Sequence, residues 1–277
     1  MMKISTGDAA GGKAGDMILS IGTGATTAGG DIISSAGTST PLTGGSVSMS
    51  TGVGKATSSG SVVIKTVNAG TLGISGLMTF SSGTTSSGTS GLVKVETGSA
   101  TSGKGGSVVV SVGSGNTLEG GAITMTAGET TANTKVAGVV SLTGGSGSST
   151  TAGQGGHIAF NSGVGNGGTG GSISLSSGAG TISSSGSIRF KTPDAGTTGT
   201  SGSMVFSTGT TSSGSSGLIQ LSTGNANTGR TGNIVMSVGL GTAETGGDII
   251  GSAGDTTANT GGAISLSTGT GTTKSSG

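Results

Sequence analysis

Apolar and polar residues alternate in short segments along the whole chain, and glycine stands at both ends of each segment. In residues 171–178, GSISLSSG, Ile173 and Leu175 fall on one face and the serines fall on the other. Strict alternation over six residues between glycines is typical of a half-buried β-strand. The pattern therefore predicts a strand here, and the rest of the chain repeats it.

The segments recur with a fixed period. We call the glycine before each segment its anchor. Successive anchors are 15 residues apart in twelve of sixteen intervals, 16 apart in two, and 17 and 18 apart once each. A truncated unit carrying Met2 and Ile4 precedes them, which makes 18 units in all. The anchors are Gly15, Gly30, Gly45, Gly60, Gly76, Gly91, Gly106, Gly121, Gly138, Gly156, Gly171, Gly186, Gly202, Gly217, Gly232, Gly247 and Gly262.

Two columns of the repeat are apolar. The position two after the anchor is apolar in all seventeen anchored units, and the position four after it is apolar in fifteen, including all four phenylalanines. Glycine makes up 65 of 277 residues, a composition that by itself favours disorder because glycine loses the most backbone entropy on folding. Columns this regular have no role in a disordered tract, so we expect the chain to fold.

The predicted fold class is all-β, a parallel β-solenoid of about 18 repeats of 15 residues with one coil per repeat. Half-units such as 52–60 and 224–232, whose inward positions carry small residues, would form the opposite wall. A 30-residue coil, in which consecutive strands face each other, is the alternative. No linker or compositional break occurs, so residues 1–277 are expected to form a single uncapped domain, a segment of a longer chain or filament.

A longer period overlies the short one. Residues 191–224 mirror residues 65–98 at an offset of 126 residues, which is eight units. The 16-residue interval from Gly60 to Gly76 recurs between Gly186 and Gly202. These blocks are interpreted as duplications.

Composition narrows the function classes. A net charge of +1 with 8% charged residues gives no electrostatic reason to expect nucleic acid or an anionic membrane as partner. No apolar run is long enough for a signal peptide or a transmembrane helix, so membrane insertion is not expected. The chain has no cysteine, which excludes a disulfide framework and a thiolate metal site.

Candidate chemistry is sparse. His157 is the single histidine and falls on the outward phase of its segment. Residues 11–19, GGKAGDMIL, faintly resemble a calcium-binding nonapeptide, but Asp16, Asp31 and Asp248 share their column in only three units. The glycine-rich stretches lack the strand, GK[ST] and helix of a phosphate loop. We therefore predict no catalytic, cofactor-binding or metal-binding residue, no cofactor, and no enzymatic activity.

Outward positions bear on an ice-binding alternative. The chain resembles β-solenoid antifreeze proteins, which carry ranks of hydroxyl side chains, in coil size and Thr/Ser content. Matching outward pairs of Ser or Thr occur in five of its seventeen anchored units. Lys94 with Glu96 and Arg189 with Lys191 interrupt the rank, and we expect them to be solvated surface charges. Thermal hysteresis would identify ice binding. A carbohydrate- or mineral-binding module is a third hypothesis, weakened for sugars by the scarcity of aromatic residues.

The unit GGxIxLSTGxxxxxx resembles the Gly/Ser/Thr-rich tandem repeats of large proteins in diatoms and other stramenopile algae, along essentially the whole chain. The resemblance implies an extracellular or cell-surface β-solenoid protein and transfers no site residues. The main functional hypothesis is a structural protein that forms or decorates an extracellular fibre, sheath, appendage or adhesive. Its expected partners are other copies, end to end or side by side in filaments, and glycans on Ser and Thr.

Overall fold

The computed structural model describes residues 2–26, 28–242 and 245–270. Within these ranges the backbone forms neither helix nor strand, and extended segments alternate with closed loops on the period of the anchors. The chain divides into two units, Met1–Val140 and Ser141–Gly277, and each contains the same succession of segments and loops.

The extended segments keep two distinct faces. Side chains two positions after the anchor are 40–63% exposed, whereas apolar side chains one or three positions after it are 75–89% exposed. An extended backbone sends successive side chains to opposite sides, which produces this alternation. The adjacent valines Val108 and Val109 illustrate it, at 56% and 81% exposure.

The loops begin seven positions after one anchor and end at the next. In most described units the chain bends ten to twelve residues after the anchor, for example at residues 40–42, 55–57 and 86–88. At seven anchors the backbone N–H donates to the carbonyl oxygen at the start of the same loop. These bonds join Gly45 to Gly37, Gly60 to Gly52, Gly138 to Gly128, Gly156 to Gly145, Gly171 to Gly163, Gly186 to Gly178 and Gly262 to Gly254, at N–O distances of 2.8–3.3 Å.

The predicted β-solenoid is wrong, with either coil size. A solenoid needs hydrogen bonds from each extended segment to the equivalent segment one coil away. In the described residues no such ladder forms, and the backbone bonds at the anchors close back onto their own unit. The alternation of apolar and polar residues indicates that successive side chains lie on opposite faces of an extended segment. It does not indicate that a neighbouring segment is hydrogen-bonded to it.

The described residues also lack a buried core. No side chain among them is buried, and the accessible surface of the chain is 27188 Å². A compact protein of 25.3 kDa exposes about 10,000 Å² and its fully unfolded chain about 37,000 Å². Two apolar side chains per 15-residue unit bury too little surface to offset the entropy of ordering a glycine-rich backbone.

The described part of the chain has no helix with the length and apolarity needed to cross a membrane.

Candidate functional site

The charged residues considered from the sequence lie on the surface. His157, Asp31, Asp248, Arg189 and Lys191 are all exposed. The two ion pairs within the described ranges are local, since Lys13 Nζ lies 2.8 Å from Asp16 Oδ1 and Lys94 Nζ lies 2.7 Å from Glu96 Oε2. Exposed pairs of this kind contribute at most about 1 kcal/mol. The structure brings none of these groups together into a cluster.

No enclosed site is present among the described residues. They form no pocket, and no three of their His, Asp and Glu side chains come close enough together to hold a metal ion. The prediction that the chain has no catalytic, cofactor-binding or metal-binding residue stays a prediction.

Each anchor glycine is the site of a close approach. A Cβ built on it would lie within 4 Å of the residue nine to eleven positions earlier, at all seventeen anchors. At Gly121 the distance to Val112 Cγ1 would be 2.7 Å, and at Gly138 the distance to the Gly128 nitrogen would be 2.8 Å. A side chain does not fit at these distances. At most other anchors the nearest atom would lie 3.1–3.5 Å away, so the conflict is smaller there and the backbone neighbour of Gly138 makes that anchor the most restricted.

A second set of glycines shapes the bend. Among the described residues, six glycines have a φ between 112° and 144°, and each lies three residues before an anchor: Gly12, Gly73, Gly88, Gly103, Gly199 and Gly214. L side chains rarely adopt this conformation, so glycine is favoured there for backbone freedom. Glycine thus has one role at the base of the loop and another at its bend.

The duplicated blocks share these details at the 126-residue offset. Gly73 and Gly199 have φ of 144° and 129°, and Gly88 and Gly214 have φ of 121° and 112°. The anchor bonds at Gly45 and Gly60 recur at Gly171 and Gly186. Hydroxyl bonds recur as well: Thr85 and Thr211 donate to the carbonyl oxygens of Ser87 and Ser213, while Thr130 and Thr256 accept from the amides of Ala132 and Ala258. Each loop conformation is therefore encoded by its own sequence.

Within the described residues, the side chains of the apolar columns remain half-exposed or more exposed. Side chains of the second column, four positions after the anchor, are 54–93% exposed wherever they are large and apolar. In the Met1–Val140 unit the columns include Val62, Phe80, Val108 and Val110, and in the other unit Ile173, Phe190, Met204 and Phe206. Periodic apolar exposure on this scale marks an interaction surface or an aggregation-prone one.

The residue six positions after the anchor was missed by sequence reasoning. A Cβ on the next anchor would meet this residue in fifteen of the sixteen intervals between anchors, as with Ile21, Thr97 and Val238. The Thr97 hydroxyl also donates to the Gly106 carbonyl at 3.2 Å. The signal was present as a column of Ala, Ser, Thr, Val and Ile directly before a column of glycine.

Comparison with protein-family models, curated proteins and solved structures gives no match to this chain.

Proposed function

We propose that the chain is a self-associating structural protein of an extracellular fibre, sheath, appendage or adhesive. The observation that carries the proposal is the pair of apolar columns, which repeat through the described residues and have no intramolecular partner. Extended segments with unpaired backbone groups and an apolar face are templates for pairing with another chain. Repetition multiplies each weak contact along the length of the molecule.

Charge favours association over repulsion. The net charge of +1 and the low content of charged residues leave little electrostatic opposition to the approach of neutral copies. Absence of a pocket or metal cluster among the described residues leaves the repetitive surface as the part of the molecule available for function.

An extracellular or cell-surface location and glycans on Ser and Thr are part of the proposal. Hydroxyl side chains are abundant at the exposed outward positions, such as Ser48, Ser174 and Ser265, where a glycan would not cover the apolar columns. Mass spectrometry of native material would detect the added hexose mass.

Ice, carbohydrate or mineral binding remain the rival hypotheses, and no feature of the structure favours them. An ice-binding rank needs hydroxyls held at fixed spacing on a flat sheet, and the described residues form no sheet. Thermal hysteresis and glycan-array binding by freshly diluted protein test the first two, and adsorption to mineral particles tests the third.

Two adjacent valine pairs allow a matched test of self-association. Val62 and Val108 belong to the first apolar column, and Val63 and Val109 follow them on the opposite face. We expect V62S/V108S to raise the concentration for half-maximal assembly roughly 30-fold, because each half-exposed valine contributes about 1 kcal/mol on being covered. The control V63S/V109S removes the same atoms and should change that concentration less than threefold.

Sedimentation velocity over a concentration series measures the assembly, and electron microscopy shows its form. Equal weakening by the two double variants would contradict the assignment of the interacting face. A wild-type chain that stays monomeric up to the highest soluble concentration would overturn the proposed function.

A further inference from the structure

The binding partner of the apolar columns can be inferred from the period with which its own apolar groups must repeat. A partner whose segments pair edge to edge with these segments, and so extend the apolar columns sideways, must present apolar groups with the same 15-residue period and the same longer intervals. A second copy of this chain meets this requirement. We propose that two copies pair side by side, in the same direction, with an offset of eight units, so that residues 30–135 of one lie along residues 156–261 of the other. The inference rests on the proposed function and specifies its register.

Loop lengths favour this offset. From Gly30 to Gly121 each anchor has a counterpart 126 residues later, and the 16-residue interval after Gly60 lies beside the one after Gly186. Pairing without offset sets each interval beside its own copy, and among the shifts by whole units only this one sets the two 16-residue intervals beside each other. Loops of unequal length would displace the segments that follow them, and a slip of one residue turns every apolar side chain to the opposite face.

Loop conformations are also matched at this offset. At this offset the loops that meet have the same bend, with positive φ at Gly73 and Gly199 and again at Gly88 and Gly214. They have the same closing bonds, as at Gly60 and Gly186. Loops of the same shape keep equivalent extended segments of the two copies aligned along their length.

Charge separates the offset arrangement from pairing without offset. Without offset every charged side chain lies beside its own copy, and like charges directly opposite each other are destabilising. With the eight-unit offset Lys94 lies beside Gln220, Glu96 beside Ser222 and Arg189 beside Val63. Asp31 lies beside His157 and Asp194 beside Asn68. The like-charged pairs that remain are Lys65 with Lys191, Lys104 with Arg230, and Glu129 with Asp255.

The offset also determines the kind of assembly. Pairing engages the first part of one copy and the second part of another, which leaves the complementary part of each copy free. Such a heterologous contact does not close, and it extends into an open filament by adding copies. Pairing without offset would instead place equivalent surfaces together along the full length.

Disulfide trapping tests the register, because the native chain has no cysteine. Ser48 and Ser174 are exposed, occupy the position three after their anchors, and lie 126 residues apart. Adjacent strands at about 4.8 Å fall within the Cα separation that a disulfide accepts. We expect mild oxidation of S48C mixed with S174C to give at least tenfold more linked dimer than either variant alone. S48C mixed with S265C, which shares the phase but not the unit, is the matched control.

Each outcome is decisive. A dominant link between positions 48 and 174, in assemblies confirmed by sedimentation, supports the offset. Linking of S48C to itself, or equal yields with S174C and S265C, overturns the offset while self-association stands. Assembly in sedimentation without any linking also overturns the side-by-side register. Absence of assembly overturns the proposed function itself.

Discussion

At the scale of single residues, glycine carries most of the conformational information. The base of the loop ending at Gly138 needs glycine because a Cβ would lie 2.8 Å from the Gly128 nitrogen. The bend at Gly88 needs it because φ is 121°. Gly128, at the other end of the same closing bond, has open space around its Cα. The two ends of one hydrogen bond thus tolerate substitution very differently.

The pair Gly138 and Gly128 gives a residue-scale prediction. G138A should break the 2.8 Å bond from its amide to the Gly128 carbonyl, since the obstructing atoms are backbone and do not rotate away. Losing a bond of about 1 kcal/mol should speed amide exchange at residue 138 roughly fivefold, after correction for the intrinsic rate. NMR-detected hydrogen exchange measures this. G128A should leave the rate unchanged or slow it, and faster exchange in both variants would contradict the steric explanation.

At the scale of elements, the structure keeps the predicted lower exposure of the first apolar column, whereas the predicted strand pairing is wrong. The alternation at Val108 and Val109 separates a half-exposed side chain from a more exposed one in the structure, at 56% and 81% exposure. A period of two depends on backbone extension alone, so it holds whether or not a neighbouring segment is present. Strand pairing depends on whether the free energy gained by burying two apolar side chains per 15 residues exceeds the conformational entropy lost by ordering the backbone. A local sequence pattern does not show which of these two terms is larger.

The loops show the same division between what local sequence encodes and what it does not. The glycine seven positions after most anchors marks the start of a loop, and the next anchor marks its end. The hydrogen bond that closes the loop, as from Gly45 to Gly37, is visible only in the three-dimensional structure. The candidate chemistry was easier to judge from sequence, because one histidine and scattered carboxylates such as Asp31 provide few combinations.

The unpaired segments lead to an element-scale prediction. Dilute protein should lack the far-ultraviolet circular dichroism minimum near 218 nm that β-sheet produces, and the minimum should grow as the chain self-associates. The reason is that backbone groups of the extended segments gain partners from the neighbouring copy. Circular dichroism over a dilution series, in parallel with sedimentation, checks it. A concentration-independent minimum in the monomer would contradict the structure described here.

At the scale of the whole molecule, exposed area governs stability. The chain already exposes 27188 Å², against about 37,000 Å² when fully unfolded, so unfolding uncovers little further surface. The heat capacity change and the cooperativity of unfolding both scale with newly exposed area. Cooperative stability against unfolding is therefore expected of assembled copies and not of a single copy.

A calorimetric prediction follows at this scale. Dilute monomer should show no cooperative heat-absorption peak on scanning, whereas assembled protein should show one whose midpoint rises with concentration. Differential scanning calorimetry at two concentrations on either side of the assembly threshold makes the comparison, with V62S/V108S as the variant that stays without a peak. A sharp, concentration-independent peak in the monomer would show an intramolecular core.

The closed loops have a mechanical consequence. In the loop from Gly37 to Gly45 one hydrogen bond holds nitrogen and oxygen at 2.8 Å, although the eight residue steps from Gly37 to Gly45 span about 27 Å when drawn out. A tensile load would rupture these weak ties one after another and release stored contour length before any covalent bond is strained. When the load is removed, each closing hydrogen bond forms again, because the sequence of its own loop encodes the closed conformation. A fibre of such chains would absorb work by yielding in small reversible steps, which is the behaviour of a tough material rather than a stiff one.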